Sequence, residues 1–238
     1  MFFFCHLFAG MILGIGAAAA FRTRMAVPVA GFSSILPDLV DKPLGHFFFR
    51  GGFLQGLELF HTFLSVLIFL AIALVMSWRA RSGLLLILPA GLLLHQIMDL
   101  VWMDPVTWLS PFLGPLQPCF CSGVVSFVGW GLQAEFFSVS EWVFLAATVL
   151  AGAHLFPDVV ARITGRNPAP YTATLLPAAI LLLVLQGLWF VATAAREITN
   201  PSVDGIISLG NFMVGAVSLT GAAVLAVARP LFPGDAEG

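Results

Sequence analysis

Long apolar runs separated by short polar breaks fill the chain, and six of them approach the roughly 20 residues needed to span a hydrocarbon core. They cover residues 3–21, 58–78, 83–103, 139–160, 172–196 and 205–228. The opening MFFFCHLFAGMILGIGAAAAF lacks the basic stretch that precedes the apolar region of a signal peptide, so it reads as a retained first helix. A shorter apolar segment, 25–38, is predicted to return through the bilayer packed inside the bundle, where Pro28 is tolerated. Pro37 and Pro43 predict a break in any helix there, and Gly45 a relaxed exit from the membrane. Residues 104–138, rich in Pro, Gly and Trp, are too interrupted for a span. They predict an interfacial lid, with Trp102, Trp108 and Trp130 at headgroup depth. The pattern as a whole predicts an all-α, polytopic transmembrane helical bundle of 6–7 membrane segments. Residues 1–118 carry the polar motifs, and 119–238 supply further hydrophobic helices of the same bundle.

Composition strengthens this picture. Of 238 residues 60% are hydrophobic and 9% charged, whereas soluble domains are about 25% charged. A net charge of −2 without a basic cluster excludes a nucleic-acid partner. Cys5, Cys119 and Cys121 suit buried small apolar positions better than a disulfide framework. With seven crossings, Arg22, Arg24, Arg79, Arg81, Arg162, Arg166 and Arg229 share one face, and only Lys42, Arg50 and Arg196 fall on the other. If 25–38 does not cross, the same ten residues divide equally. The positive-inside rule therefore favours seven crossings, with the N-terminus outside and the C-terminus cytoplasmic.

Against so few charges, the stretch SSILPDLVDKPLGH (33–46) stands out, with Asp38, Asp41, Lys42 and His46. In the predicted topology His6, Asp38, Glu58, His61, His95 and Asp99 all reach the outer side. Ionisable groups at membrane depth are costly and usually functional. In HQIMD, His95 and Asp99 are four residues apart, one turn along a helix face. In ELFH, Glu58 and His61 are three apart and could share a face in the same way. Imidazole plus carboxylate suits a divalent metal, most readily zinc, with manganese or iron as alternatives. Lys42 either neutralises Asp41 or meets lipid phosphate. His154 reads as a histidine hydrogen-bonded to a neighbouring helix, and Glu141 as a helix-start acid at the interface.

The series His6, SSILPDLVDKPLGH, FHTFLSV and HQIMDLVWMDPVTWLSPFLGP, over residues 1–118, resembles the YdjM-like membrane-bound metal-dependent hydrolase family. The resemblance implies a prokaryotic inner-membrane hydrolase. The order His, Asp, His, HxxxD is also similar, more weakly, to the zinc-dependent phospholipase C and P1 nuclease group. Carried over, it makes His6, Asp38, His61, His95 and Asp99 metal ligands. The later His and HxxxE of that group have no counterpart, which limits the site to one or two metals. The function expected is hydrolysis of a lipid phosphoester or other ester at the outer membrane–water interface, with Asp41 or Glu58 as general base and His46 as an alternative proton carrier. The alternative is a non-enzymatic metal-binding membrane protein: an ion carrier, sensor or scaffold.

Overall fold

The computed structural model describes residues 3–43, 59–115, 132–198 and 205–228, and every regular element among them is helical. Two compact units divide the chain, Met1–Val139 and Ser140–Gly238.

In the first unit α1 (Phe3–Phe21) and α2 (Ala26–Pro43) form an antiparallel hairpin, turned through Arg22 at φ 52°. Between lipid-embedded helices no hydrophobic force acts, so close van der Waals packing of small residues must hold them. A Cβ on Gly10 would strike the Ser34 hydroxyl and the Ala30 carbonyl, and one on Gly14 would strike the backbone of Val27. The Ser34 Oγ also donates to the His6 carbonyl at 2.8 Å, joining the two backbones at the end where the polar residues gather.

Pro37 lies inside α2 and the helix runs on to Pro43, so the break expected there does not occur. Pro37 can give no N–H to the Ser33 carbonyl four residues back. That loss is tolerated because α2 is held between α1 and the helix Ile87–Met98.

A 3₁₀ turn, Gly83–Leu86, leads into α4 (Ile87–Met98), which runs parallel to α2 with Gly91 against Ser33 and Ala30. α3 (Phe63–Ala80) starts at an N-cap, Thr62, and ends where Arg81 turns left-handed, φ 51°. The expected span from 58 thus begins five residues later, and His61 stands in the turn ahead of it. α3 buries only Ser65, Val66 and Ala73; Leu67, Ile68, Ile72, Leu74 and Val75 are exposed. So large an exposed apolar surface suits lipid. The first unit closes with a 3₁₀ turn (Val101–Met103), α5 (Pro105–Trp108) and α6 (Leu132–Phe137).

In the second unit α7 (Val139–Leu155) breaks at Phe156 and α8 (Pro157–Thr164) leaves it at 97°, so the expected span 139–160 is not straight. Pro157, in the first turn of α8, cannot continue the bonding of the preceding helix. Glu141, expected at the interface, is buried in the first turn of α7. α9 (Ala169–Ile198) and α10 (Gly205–Val227) form a second antiparallel hairpin in which Gly187 and Gly215 meet. His154 Nε2 donates to the Ala228 carbonyl at 3.2 Å, the simple hydrogen bond expected of it.

Four helices, α1, α3, α9 and α10, are long and apolar enough to cross a membrane, and the bent pair α7–α8 makes a fifth if counted as one span. Gly83–Met98 is shorter, and α2 carries Asp38, Asp41 and Lys42. By length and apolarity the described residues therefore supply 4–5 spans, where the sequence predicted 6–7.

Candidate metal centre

The start of α1, the end of α2, the turn before α3 and the end of α4 meet at one end of the first unit. Asp38, His61, His95 and Asp99 each turn one ligand atom to a common point, and these four atoms all lie within 4.8 Å of one another. His61 Nε2 and His95 Nε2 are 3.1 Å apart. Asp38 Oδ1 is 3.8 Å from the first and 3.7 Å from the second. Asp99 Oδ2 is 3.7 Å and 3.2 Å from the same two atoms. Four ligands about 2.0–2.1 Å from a zinc ion stand roughly 3.3–3.4 Å apart in a tetrahedron. The observed separations bracket that value.

Each of the four residues is held from behind by a different group. His61 Nδ1 donates to Asp41 Oδ2 at 2.8 Å, an oxygen that also accepts the Phe60 N–H at 2.8 Å. His95 Nδ1 donates to the Ser34 carbonyl at 2.7 Å, one residue beyond the carbonyl that Pro37 leaves without its helical donor. Lys42 Nζ lies 2.7 Å from Asp38 Oδ2, and His6 Nε2 lies 3.0 Å from Asp99 Oδ1. A metal-binding histidine commonly gives its other N–H to a carboxylate or carbonyl in this way, which fixes its tautomer and its aim.

The arrangement concentrates acceptors. With both Nδ1 atoms committed as donors, the Nε2 atoms of His61 and His95 face each other at 3.1 Å with two carboxylate oxygens beside them. Asp38 Oδ1 is buried and has no hydrogen-bond partner. The carboxylates of Asp38, Asp41 and Asp99 gather with the two imidazoles in a largely buried setting, and the Lys42 ammonium pairs with Asp38. Buried charge costs several kcal/mol per ion unless it is paired. A divalent cation at the common point would pair with Asp38 and Asp99 and take the Nε2 lone pairs of His61 and His95. The donor set therefore fits a metal ion.

The structure thus gathers Asp38, His61, His95 and Asp99, and places the other candidates differently. His6 stands behind Asp99 with its ring stacked on His95 at 4.1 Å, and does not reach the common point. Asp41, expected as a general base, lies on the far side of the His61 ring, occupied by two donors. His46 and Glu58 lie outside the described residues. Lys42 is paired with Asp38 rather than Asp41.

Gln96, which sequence reasoning passed over, is fully buried and clamps the site. Its Nε2 donates to the Phe60 and Thr62 carbonyls at 2.8 and 2.9 Å, fixing the turn that carries His61. Its Oε1 accepts the Trp108 indole N–H at 2.9 Å, which ties Trp108 to the site. The only signal in the sequence was an amide inside an apolar span, next to a histidine.

Fold and site together define a helical protein with membrane-type apolar helices and a buried Asp–His–His–Asp group able to hold a metal ion. No protein-family model, curated protein or solved structure matches the chain.

Proposed function

We propose that this protein is a membrane-embedded metal-dependent hydrolase acting on a lipid phosphoester or other ester at the outer membrane–water interface of a prokaryotic cell. The observation that carries the metal is the pair of imidazoles meeting Nε2 to Nε2 at 3.1 Å with both Nδ1 atoms already committed. The resemblance to the YdjM-like family supports the hydrolase class. Arg22, Arg24, Arg79 and Arg81 lie in the α1–α2 turn and at the α3–α4 junction, away from the site end of the same helices. That polarity supports a cytoplasmic arginine face and an outward-facing site.

A bound divalent ion, zinc first, would polarise a phosphoryl or carbonyl oxygen and ease loss of a proton from water. Asp41 and the Ser34 carbonyl hold the two imidazoles with their Nε2 atoms aimed at the common point. Lys42, partly exposed, holds Asp38 from outside the cluster with its ammonium. The exposed apolar side of α3 lets a lipid remain in the bilayer while its headgroup meets the site.

One observation favours the non-enzymatic reading, a metal-binding carrier, sensor or scaffold. Four protein ligands can fill a tetrahedral shell, as in structural zinc sites, whereas catalytic sites keep a position open.

Elemental analysis of detergent-purified protein, prepared without chelators, tests the proposal beside a variant carrying His95→Ala and Asp99→Ala. About one equivalent of metal in the wild type, lost in the variant, together with release of phosphate or fatty acid from mixed lipid vesicles, is the expected result. Metal without turnover would leave the scaffold or sensor reading, and no metal would defeat both.

A further inference from the structure

We infer that Asp99 is the exchangeable ligand of this centre, yielding its place to an oxygen of an incoming phosphate or ester while Asp38, His61 and His95 hold the ion throughout. This rests on the metal reading above and deepens it, because it identifies where a fourfold site opens.

The four ligands are not equally anchored. Asp38 lies inside α2 and His95 inside α4. His61 stands in a turn fixed by Asp41 and by the Gln96 amide on its neighbouring carbonyls. Asp99 sits past the last residue of α4, at its C-cap, and is followed by Leu100 in the left-handed region at φ 58° and then by a 3₁₀ turn. Its side chain is also the most exposed of the four, 14% against 10% for His61, 3% for Asp38 and 0% for His95. The open side of the site is therefore the Asp99 side.

The two carboxylates also differ in what release would cost. Each keeps a partner on its other oxygen, Lys42 Nζ at 2.7 Å on Asp38 Oδ2 and His6 Nε2 at 3.0 Å on Asp99 Oδ1. The freed oxygens differ: Asp38 Oδ1 would remain buried without a hydrogen-bond partner, whereas that of Asp99 belongs to the more exposed side chain. His6 is itself fixed, fully buried and stacked on His95. Buried groups that lose a partner are penalised, so exchange occurs at Asp99. On this reading His6 is a positioning residue that holds the released carboxylate beside the site.

Cobalt(II) substituted into the full-length protein gives a test that needs no turnover, with inorganic phosphate as the probe. In wild type, phosphate should shift the visible cobalt bands without the loss of intensity that a fifth ligand brings, as one oxygen ligand replaces another. Asp99→Asn should still take up about one equivalent of cobalt, with affinity lowered about 10–100-fold, and should still respond to phosphate. Asp38→Asn should take up no stoichiometric cobalt. Asp99→Asn as metal-free as Asp38→Asn, or a wild-type spectrum that saturating phosphate leaves unchanged, would overturn the inference. A wild type that binds no cobalt would instead refute the metal site itself. Both substitutions are isosteric, and the wild-type titration requires neither.

Discussion

The hairpins α1–α2 and α9–α10 share one construction device and differ in what their polar groups do. In both, glycines let two helices touch: Gly10 and Gly14 in the first, Gly187 and Gly215 in the second. In α9–α10 the polar pairs that cross the hairpin are complementary. Gln186 Nε2 donates to Ser218 Oγ at 3.1 Å, and Asn211 Nδ2 donates to Glu197 Oε2 at 2.8 Å. At the end of α1–α2, with α4 and the turn before α3, acceptors outnumber donors and converge on one point. Polarity inside a helical bundle therefore does not by itself mark a site. An excess of lone pairs aimed at a common centre does.

Removing the cation should break this contrast most sharply. A ligand present at about 1,000 times its dissociation constant stabilises the folded state by about 4 kcal/mol. For a chain of this length, about 2–4 °C per kcal/mol makes that roughly 8–16 °C in thermal midpoint. Dialysis against a strong chelator should lower the wild-type midpoint by this order, and added zinc should restore it. His95→Ala should begin near the lower midpoint and respond to neither treatment. Equal responses from the two proteins would mean that the four side chains hold no ion.

Two glutamines, one in each unit, sharpen the same contrast at smaller magnitude. Gln186→Leu removes one interhelical hydrogen bond, and such bonds average about 0.6 kcal/mol in membrane proteins. The midpoint should fall by a degree or two, and metal content should not change. Gln96→Leu leaves the Phe60 and Thr62 carbonyls and the Trp108 indole N–H without their partner and loosens the turn that aims His61. Metal affinity should fall about 10–100-fold, the usual cost of losing a group that supports a ligand. Competition with a chromogenic chelator measures both variants. Equal metal affinity in the two would show that Gln96 only packs.

Much of this was legible in the sequence, and what escaped did so for physical reasons. The apolar runs located α1, α3, α9 and α10 closely, because length and hydropathy alone define a span. The four-residue spacing of His95 and Asp99 put both on one helix face, where Asp99 Oδ2 now lies 3.2 Å from His95 Nε2. The course of α2 through Pro37 was not legible, because packing against α1 and α4 overrides the local cost of a proline. Nor was the position of His61 ahead of α3, although Thr62 immediately before an apolar run is an N-cap signature. The turn at Phe156–Pro157 carried a similar signal. The pairing of Lys42 with Asp38 follows the same four-residue spacing within α2. What no spacing rule could supply was the rest of the outer layer: that Asp41 serves His61 and the backbone of Ser34 serves His95. These partners are set by how the helices cross.

The smallest expected effect lies at Asp104, five residues beyond Asp99, and it shows what an acid looks like when its own neighbourhood satisfies it. Asp104 caps α5: its Oδ2 accepts the Thr107 hydroxyl at 2.6 Å, and its Oδ1 accepts the N–H groups of Val106 and Thr107 at 3.3 and 3.5 Å. The Thr107 hydroxyl, followed by these backbone donors, holds the carboxyl below its ordinary range against a small opposing effect of burial. A carboxyl whose pKa is depressed on folding stabilises the structure at pH values above its unfolded pKa, near 3.9. That contribution is lost as pH falls through the lower folded value. Asp104→Ala should therefore cost less than about 1 kcal/mol at neutral pH, the scale of a single N-cap, and progressively less as pH falls below about 3.9. Amide hydrogen exchange at Val106 and Thr107 should quicken in the variant at pH 6 and approach wild type in acid. Metal content should be the same in both proteins, and a loss of metal on Asp104→Ala would place this segment within the centre that Asp99 closes.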